Sequence, residues 1–371
     1  MTRLIHRPFD PLVGHRFNES FEVYLMDLDD RVIDELDGAS GGKLDESIHT
    51  VIRASGSLNF TYHQPVDWHR HRIGITYTFR DERGYTHRYP QGVFLPTTPG
   101  STYHAHVARG EVQLYDKTQM LNAGGMPSTW TVDKGVTIAQ AVKDILATVG
   151  ETRVSHPDDE GGELRNAMVF QPGTTKLRMV NDILEAGNFF GIWVDGDGVW
   201  QLQKYVPPAQ RGVEWTHRSG ENAIFKSGFK HTADGFNVPN EVVVIGRSER
   251  DDDGDEEEPP RALAWNQDPN DPFSIPSRGY TITAEPIQEQ DATSLAVLEQ
   301  IAQRRLLEMS SVTSTFEIDH AWLPNSLNSA VRLIVPEHDI DALTVLQSRS
   351  WSWEAGKRAG LTSSTLREVK A

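Results

Sequence analysis

The 371-residue chain contains no cysteine. That absence removes disulfide scaffolds, zinc ribbons, iron–sulfur centres and thiol nucleophiles. No run of roughly 18 or more apolar residues occurs, so no membrane-spanning helix is expected. The start, Met1-Thr2-Arg3-Leu4-Ile5-His6-Arg7-Pro8, lacks the apolar stretch of a secretion signal, and export by the usual route is not expected. Positive charge is scarce as well. Lys and Arg number 36 against 53 Asp and Glu, a formal charge of −17, and a field of that sign repels phosphate and argues against a nucleic-acid binder. Neither a Gly-x-Ser-x-Gly elbow nor a His-Glu-x-x-His helix appears. A glycosidase-type carboxylate pair leaves no local signature, so a hydrolase stays open on this ground alone.

What is present is a multidomain globular composition. With 37% hydrophobic residues, the length fits roughly two to three ordinary domains, each with its own core. From Phe21 to Asp116 apolar residues alternate, as in Leu58, Phe60, Tyr62 and in Ile73, Ile75, Tyr77, Phe79. Half-buried antiparallel strands explain that period. Turn signals at Asp81-Glu82-Arg83-Gly84, Pro90-Gln91-Gly92 and Thr98-Pro99-Gly100 predict hairpin links, hence a barrel or sandwich over 1–116.

Residues 117–206 read as a small α/β domain. Val142-Lys143-Asp144-Ile145-Leu146 is echoed by Val180-Asn181-Asp182-Ile183-Leu184, and each copy soon stops at a glycine, Gly150 or Gly187. Thr137 with Gln140 three residues on fits a capping box, and Ile138, Ala141, Val142, Ile145, Leu146 and Val149 fall on one face. After the second helix, Phe189 to Val194, the glycine turn Asp195-Gly196-Asp197-Gly198, and Trp200, Leu202, Tyr205 read as a strand hairpin. The two helices share their motif either by duplication or by chance. Strand patterns return over 207–371, at Glu241–Ile245, Phe316 with Ile318, Val331–Val335, and Trp351 with Trp353. A helix at 291–309 interrupts them, with the stripe Leu295, Leu298, Ala302, Leu306, Met309 and Asp291 as its N-cap. The acidic run Asp251–Glu258 lies in a loop insertion at about 248–275 and reads as an exposed, solvated loop, which a receptor-binding module would use as a contact.

Candidate chemical sites are weak. The acidic run is no calcium loop, because Glu256 follows Asp251, Asp253 and Asp255 where an EF-hand needs glycine. Asp195 and Asp197 offer two carboxylates in a tight turn, which hairpin chemistry explains. His69 with His71, and His104 with His106, would share a strand face and could ligate zinc. Tyr103, Ala105 and Val107 would then form the buried face, leaving His104 and His106 outward. Gly41-Gly42-Lys43 lacks the first glycine and the Ser or Thr of a phosphate loop, with Asp37 and Leu44 in those places. No catalytic, cofactor-binding or metal-binding residue is therefore assigned.

The order of modules carries more than any residue. Thr137–Gly150, Thr174–Tyr205, the helix 291–309 and the strands near 312–320 and 331–335 make a pattern that resembles the tail-hub proteins of bacteriophages, including the baseplate hubs of contractile tails. That resemblance implies a mainly β fold in which two tail-tube-like barrels flank a small α/β domain. It implies a structural virion protein at the tail tip: a homotrimer that adapts a sixfold tube to a threefold tip, meets the distal tail ring, tape-measure and fibre proteins, and encloses a DNA channel. DNA would pass without being specifically bound, the acidic balance fitting a lining that repels phosphate. Some relatives carry a C-terminal peptidase or wall-hydrolase extension. Here the chain ends at Ala371 soon after its last strands, so such an enzyme is expected on a separate chain. The alternatives are a β-rich carbohydrate-active or metal-dependent hydrolase, and a receptor-binding module of the tail tip. The nine tryptophans, Trp68, Trp130, Trp193, Trp200, Trp215, Trp265, Trp322, Trp351 and Trp353, suit core and interface alike.

Overall fold

The computed structural model describes residues 17–36, 38–62, 66–81, 83–104, 107–158, 161–164, 166–221, 223–246, 258–288, 295–309, 313–354 and 360–369. The chain forms two compact units, one of Met1–Phe229 with Glu317–Val369 and one centred on Lys230–Phe316.

In the first unit the N-terminal strands are β1 (Phe17–Met26), β2 (Val32–Glu35), β3 (Ala39–Ser47), β4 (Ala54–Tyr62), β5 (Arg72–Arg80), β6 (Thr86–Pro96), β7 (Gly100–His104) and β8 (Val107–Asp116). The predicted half-buried alternation holds in β4, where Leu58 and Phe60 are buried and Asn59 is exposed, whereas β5 is buried on both faces, Gly74 and Thr78 as well as Ile73, Ile75 and Tyr77. Asp81 makes the first turn, its Oδ1 accepting from Arg83 N and Tyr85 N while Gly84 takes φ +83. Pro90-Gln91-Gly92 is not a turn. It lies inside β6 at a bulge, where the register with β5 shifts between Ile75 and Thr76. Proline, which cannot donate to a ladder, is tolerated at such a bulge.

A short helix, α1 (Thr118–Asn122), leads from β8 into a module of near-twofold symmetry. Strand β9 (Trp130–Val132), helix α2 (Ile138–Ala147) and strand β10 (Val154–Ser155) are followed by β11 (Met168–Phe170), α3 (Lys176–Ala186), β12 (Trp193–Val194) and β13 (Trp200–Gln201). The two halves repeat at a constant offset of 38 residues (175 − 137). Thr137 and Thr175 cap the helices, accepting from Gln140 N at 3.2 Å and Arg178 N at 3.3 Å, and Gly135 and Gly173 share φ +86 and +87. β9 pairs with β11 antiparallel, Thr131 opposite Val169, so the dyad passes between equivalent residues. Each half also clasps the other. Gly173 N bonds Met126 O at 2.8 Å and Met126 N bonds Thr174 O at 3.0 Å; in the other half Gly135 N bonds Leu164 O and Leu164 N bonds Val136 O, both at 2.9 Å. Shared hydrogen bonds at one offset throughout make the repeated motif part of a structural repeat.

The helix ends differ from expectation in one respect. Gly150 takes φ +80, but at the equivalent position 188 it is Asn188, not Gly187, that turns left-handed, at φ +57. Gly187 serves packing instead: a Cβ there would meet Ile138 Cγ1 at 2.8 Å. The predicted apolar face of α2 forms the module's core with Leu177, Val180, Ile183, Leu184 and Trp200. Gln140 makes only half a capping box, its Nε2 bonding Asp144 Oδ1 at 2.6 Å.

After the module come β14 (Val213–Arg218), then, beyond the second unit, β19 (Thr313–His320), β20 (Ala330–Val335), β21 (Ile340–Glu354) and β22 (Thr362–Glu368). These late strands are continuous with the first ones. β21 pairs with β3, Trp353 opposite Gly42, and the path runs β22-β21-β3-β4-β8-β6-β5-β1-β2, with β20 on β21 and β14 on β20. Among the described residues no ladder closes this sheet, so in place of two expected barrels the first and last strands share one rolled open sheet. Its seam is filled by side chains. Phe21 of β1 stacks on Trp351 and on Trp353 of β21, both with centroids 5.2 Å apart, and these rings join Leu44, Leu58, Ile73 and Phe94 in one core. Backbone twist brings the ends face to face rather than edge to edge, and aromatic area replaces the missing hydrogen bonds.

The second unit contains β15 (Lys230–Asp234), β16 (Glu241–Ile245), β17 (Arg261–Trp265), α4 (Ile275–Arg278), β18 (Ile287–Gln288) and α5 (Leu295–Met309). Leu298, Ala302 and Leu306 of α5 pack on Val242, Val244, Ala262 and Ala264 of the sheet. The helix stripe is thus confirmed at its centre, while Leu295 and Met309 are exposed. Asp291 and residues 251–257 lie outside the described residues. The chain is mainly β with a small helical insert, as its patterning implies.

Candidate functional site

The first unit buries three polar groups that its apolar pattern does not foretell. The largest joins the rolled sheet to the repeat module. Asp27 organises the β1–β2 turn by accepting from Asp29 N and Arg31 N, both at 2.9 Å. Within it Asp30 takes φ +61, a conformation Asp adopts more readily than most residues. Its carboxylate receives Arg72 Nη1 at 2.5 Å, Lys117 Nζ at 2.7 Å and Arg153 Nη1 at 3.1 Å. Glu151, just past the Gly150 stop, receives Arg72 Nη2 at 2.7 Å, Lys117 Nζ at 2.5 Å and Trp200 Nε1 at 2.9 Å. Lys117 also donates to Gly198 O at 2.9 Å, and Arg153 to Asp197 O at 2.9 Å. Apart from Arg153 every charged side chain here is at most 4% exposed. Burial works against the Arg72 guanidinium, yet bonds and charge from Asp30 and Glu151 outweigh it and hold its pKa above the ordinary value. Three cations bridging two anions from sheet, α1 approach and module act as a clamp, in which Arg72 Nε is left without a hydrogen-bond partner.

Beside the clamp a cleft of about 240 Å³ opens between the β6 bulge, the β12 hairpin and the loop 322–328. Its lining includes Arg53, Asp116, Trp193, Asp195, Arg349 and Glu46. Desolvation raises the pKa of Asp116, opposed by hydrogen bonds from Thr118 and the Ala54 amide. Arg53 donates Nη2 to Gly191 O at 3.0 Å, and burial lowers its pKa. Arg349 pairs with Glu46 and donates to Asn325 O at 2.6 Å.

The third group is a histidine pair. His217 of β14 and His320 of β19 lie with ring centroids 4.9 Å apart, and both are 1% exposed. His320 bonds Ser364 Oγ at 2.8 Å and Ala321 O at 2.7 Å; His217 Nδ1 has no hydrogen-bond partner. Burial pushes the pKa of His217 down to about 3, and that of His320 down to about 4. Both rings are neutral at pH 7.

The sequence candidates fall elsewhere. His69 and His71 sit in the turn before β5 rather than on a strand face, with His69 N bonded to Asp67 Oδ1 and its Nε2 3.4 Å from Thr98 Oγ1. His104 ends β7, and His106 lies outside the described residues. Gly41-Gly42-Lys43 is strand β3, where a Cβ on Gly42 would meet Ser57 O at 2.3 Å. Asp195 is occupied as a turn former, accepting from Asp197 N, Val199 N and Gln201 Nε2. Among the described residues no three His, Asp or Glu gather to hold a metal ion. The clamp residues escape sequence reading because positions 30, 72, 117, 151 and 153 share no period. The one local hint is Asp116-Lys117-Thr118, a polar triplet at the boundary between β8 and α1.

No protein-family model matches the chain, and no curated protein sequence does. Solved structures do. The tail protein from Neisseria meningitidis matches with a TM-score of 0.62 at 16% identity, over 94% of this chain and 97% of that one. The 43 kDa tail protein of prophage MuSo2 from Shewanella oneidensis matches with a TM-score of 0.61 at 12% identity, over 95% and 98%. A chain of the Francisella PdpA–VgrG complex matches with a TM-score of 0.58 at 8% identity, over 94% of this chain but 57% of that one. The chain therefore has the fold of prophage tail proteins along almost its whole length.

Proposed function

We propose that this chain is a structural component of a phage-type tail, acting at the tail tip as the hub. The observation that carries the reading is the end-to-end match to two prophage tail proteins, in which neither chain leaves more than a few per cent of its length uncovered. A role in assembly, not in catalysis, agrees with a clamp whose charges all face one another. In this reading three copies form a ring that adapts the sixfold tube to a threefold tip, contacts the distal tail, tape-measure and fibre proteins, and surrounds the path of DNA. The formal charge of −17 favours a lining along which phosphate slides without sticking. The second unit offers a surface that assembly would cover. On β17, Leu263 and Trp265 are 42% and 50% exposed, while the alternate residues Ala262 and Ala264 face α5. Aromatic residues on such a face are typical of interfaces.

Native mass spectrometry of the purified chain tests the reading. A species at three times 41.6 kDa, or 124.8 kDa, is expected. A monomer that stays monomeric with the distal tail protein added overturns it.

A further inference from the structure

We infer that the cleft beside the clamp is a recognition site for a carboxylate carried on a partner polypeptide, with Arg53 as the group that receives it. The argument rests on which charges on the cleft wall are already satisfied. Asp116 accepts from Ala54 N at 2.7 Å, Thr118 N at 2.8 Å and the Thr118 hydroxyl. Asp195 accepts two backbone N–H groups and the Gln201 amide. Glu46 is held by Arg349. Arg53 differs. A guanidinium carries five N–H donors in a planar fork, and Arg53 gives one hydrogen bond, to Gly191 O. It is partly buried, the charge of Asp116 offsets only part of its desolvation, and it lines the cleft. A partly buried cation with donors to spare on a cavity wall is most stabilised by an anion that two of them can grip, and a carboxylate matches that fork. Trp193, partly buried, lines the same cleft, and offers a flat apolar wall for the side chain next to the carboxylate. The volume fits about one or two residues, not a drug-sized ligand. The site stands on these residues whether or not the chain forms a hub.

The test uses the full chain with indole ¹⁵N-labelled tryptophan and three short peptides at roughly millimolar concentration. The first is acetyl-Phe-Glu-amide, whose only carboxylate is a side chain; the second is acetyl-Gly-Phe, whose only carboxylate is its terminus. Acetyl-Phe-Gln-amide has none. The Trp193 indole signal, assigned with Trp193→Phe, is expected to shift with at least one acid and not with the neutral peptide. Which acid binds tells whether the cleft reads an acidic side chain or a chain end. Arg53→Gln is expected to weaken binding at least about tenfold, and Arg53→Lys less, because charge remains without the fork. Should Arg53→Gln fail to fold, the comparison of acid with neutral peptide on the wild-type chain decides alone. Equal binding of the neutral peptide, no binding of either acid, or a folded Arg53→Gln that binds as well as wild type each overturns the inference.

Discussion

Replacing Asp30 by Asn isolates the electrostatic content of the clamp. The substitution keeps side-chain size, and Asn accepts the φ of +61 at this position at least as readily as Asp, so backbone strain does not enter. In the native chain Arg72, Lys117 and Arg153 face Asp30 and Glu151, a local excess of one positive charge. In the Asp30→Asn variant the excess becomes two, and the buried Arg72 and Lys117 share only Glu151. Breaking a buried ion network by removing one partner costs about 3–5 kcal/mol, because the remaining charge stays desolvated. For a unit of this size that corresponds to a fall in Tm of roughly 5 to 8 °C. Differential scanning calorimetry of the full chain reads it in the transition that carries the first unit. Asp29→Asn, in the same turn but exposed, should stay within about 0.5 kcal/mol of wild type. The double variant Asp30→Asn, Lys117→Met removes the stranded ammonium while its apolar stem is replaced, and should recover roughly 1–3 kcal/mol relative to the single variant. If Asp30→Asn costs no more than Asp29→Asn, or if the double variant is simply additive, the clamp is not what holds the module to the sheet.

Two further outcomes follow from buried groups. His217 and His320 have folded pKa values of about 3 and about 4, below the ordinary 6.5. Their neutral forms stabilise the fold fully above pH 6.5, and that contribution is lost as pH falls from 6.5 toward 3–4. At pH 5 each accounts for about 2 kcal/mol of lost stability. Urea unfolding at pH 7 and pH 5 should show a loss near their sum, and His217→Phe should remove about half of it; an unchanged pH dependence in the variant refutes the assignment. Gly187→Ala is expected to cost about 1–3 kcal/mol by overpacking against Ile138. Gly150→Ala faces open space at φ +80 and should cost only about 1–2 kcal/mol, from the left-handed backbone alone. Thermal denaturation of each in wild-type and Ile138→Ala backgrounds separates the two, and a cost of Gly187→Ala that is no smaller once Ile138 is truncated contradicts the packing role.

The legibility of the fold tracks the range of the forces involved. Alternation at Leu58 and Phe60 and the stripe at Leu298, Ala302, Leu306 are local consequences of burying one face, and they identified strands and helix correctly. Helix caps at Thr137 and Thr175 are equally local. What escaped is set by partners far away in the chain. Nothing in Gly41-Gly42-Lys43 says that it will lie against Ser352–Glu354, more than 300 positions later (353 − 42). The continuity of first and last strands in one rolled sheet was therefore invisible. Pro90-Gln91-Gly92 misled for the opposite reason: its local chemistry is that of a turn, and only the paired β5 strand turns it into a bulge.

The clamp illustrates the deepest limit, and also why it matters for the proposed role. A charge such as Lys117, 0% exposed, reads in sequence as a solvated residue, because its burial depends on Asp30 and Glu151 arriving from separate modules. Apolar contacts at that joint would tolerate sliding, since dispersion and hydrophobic burial have little directionality. A network of bridging and shared hydrogen bonds does not tolerate it, because a shift of an ångström or so leaves desolvated charges unpaired. For a chain proposed to sit in a ring under mechanical load, fixing the repeat module to the sheet in one orientation is worth more than the modest net stability such a network supplies. The Asp30→Asn variant addresses that as well. If it lowers trimer yield more than its loss of stability accounts for, then orientation of the module, and not its attachment alone, is what assembly requires.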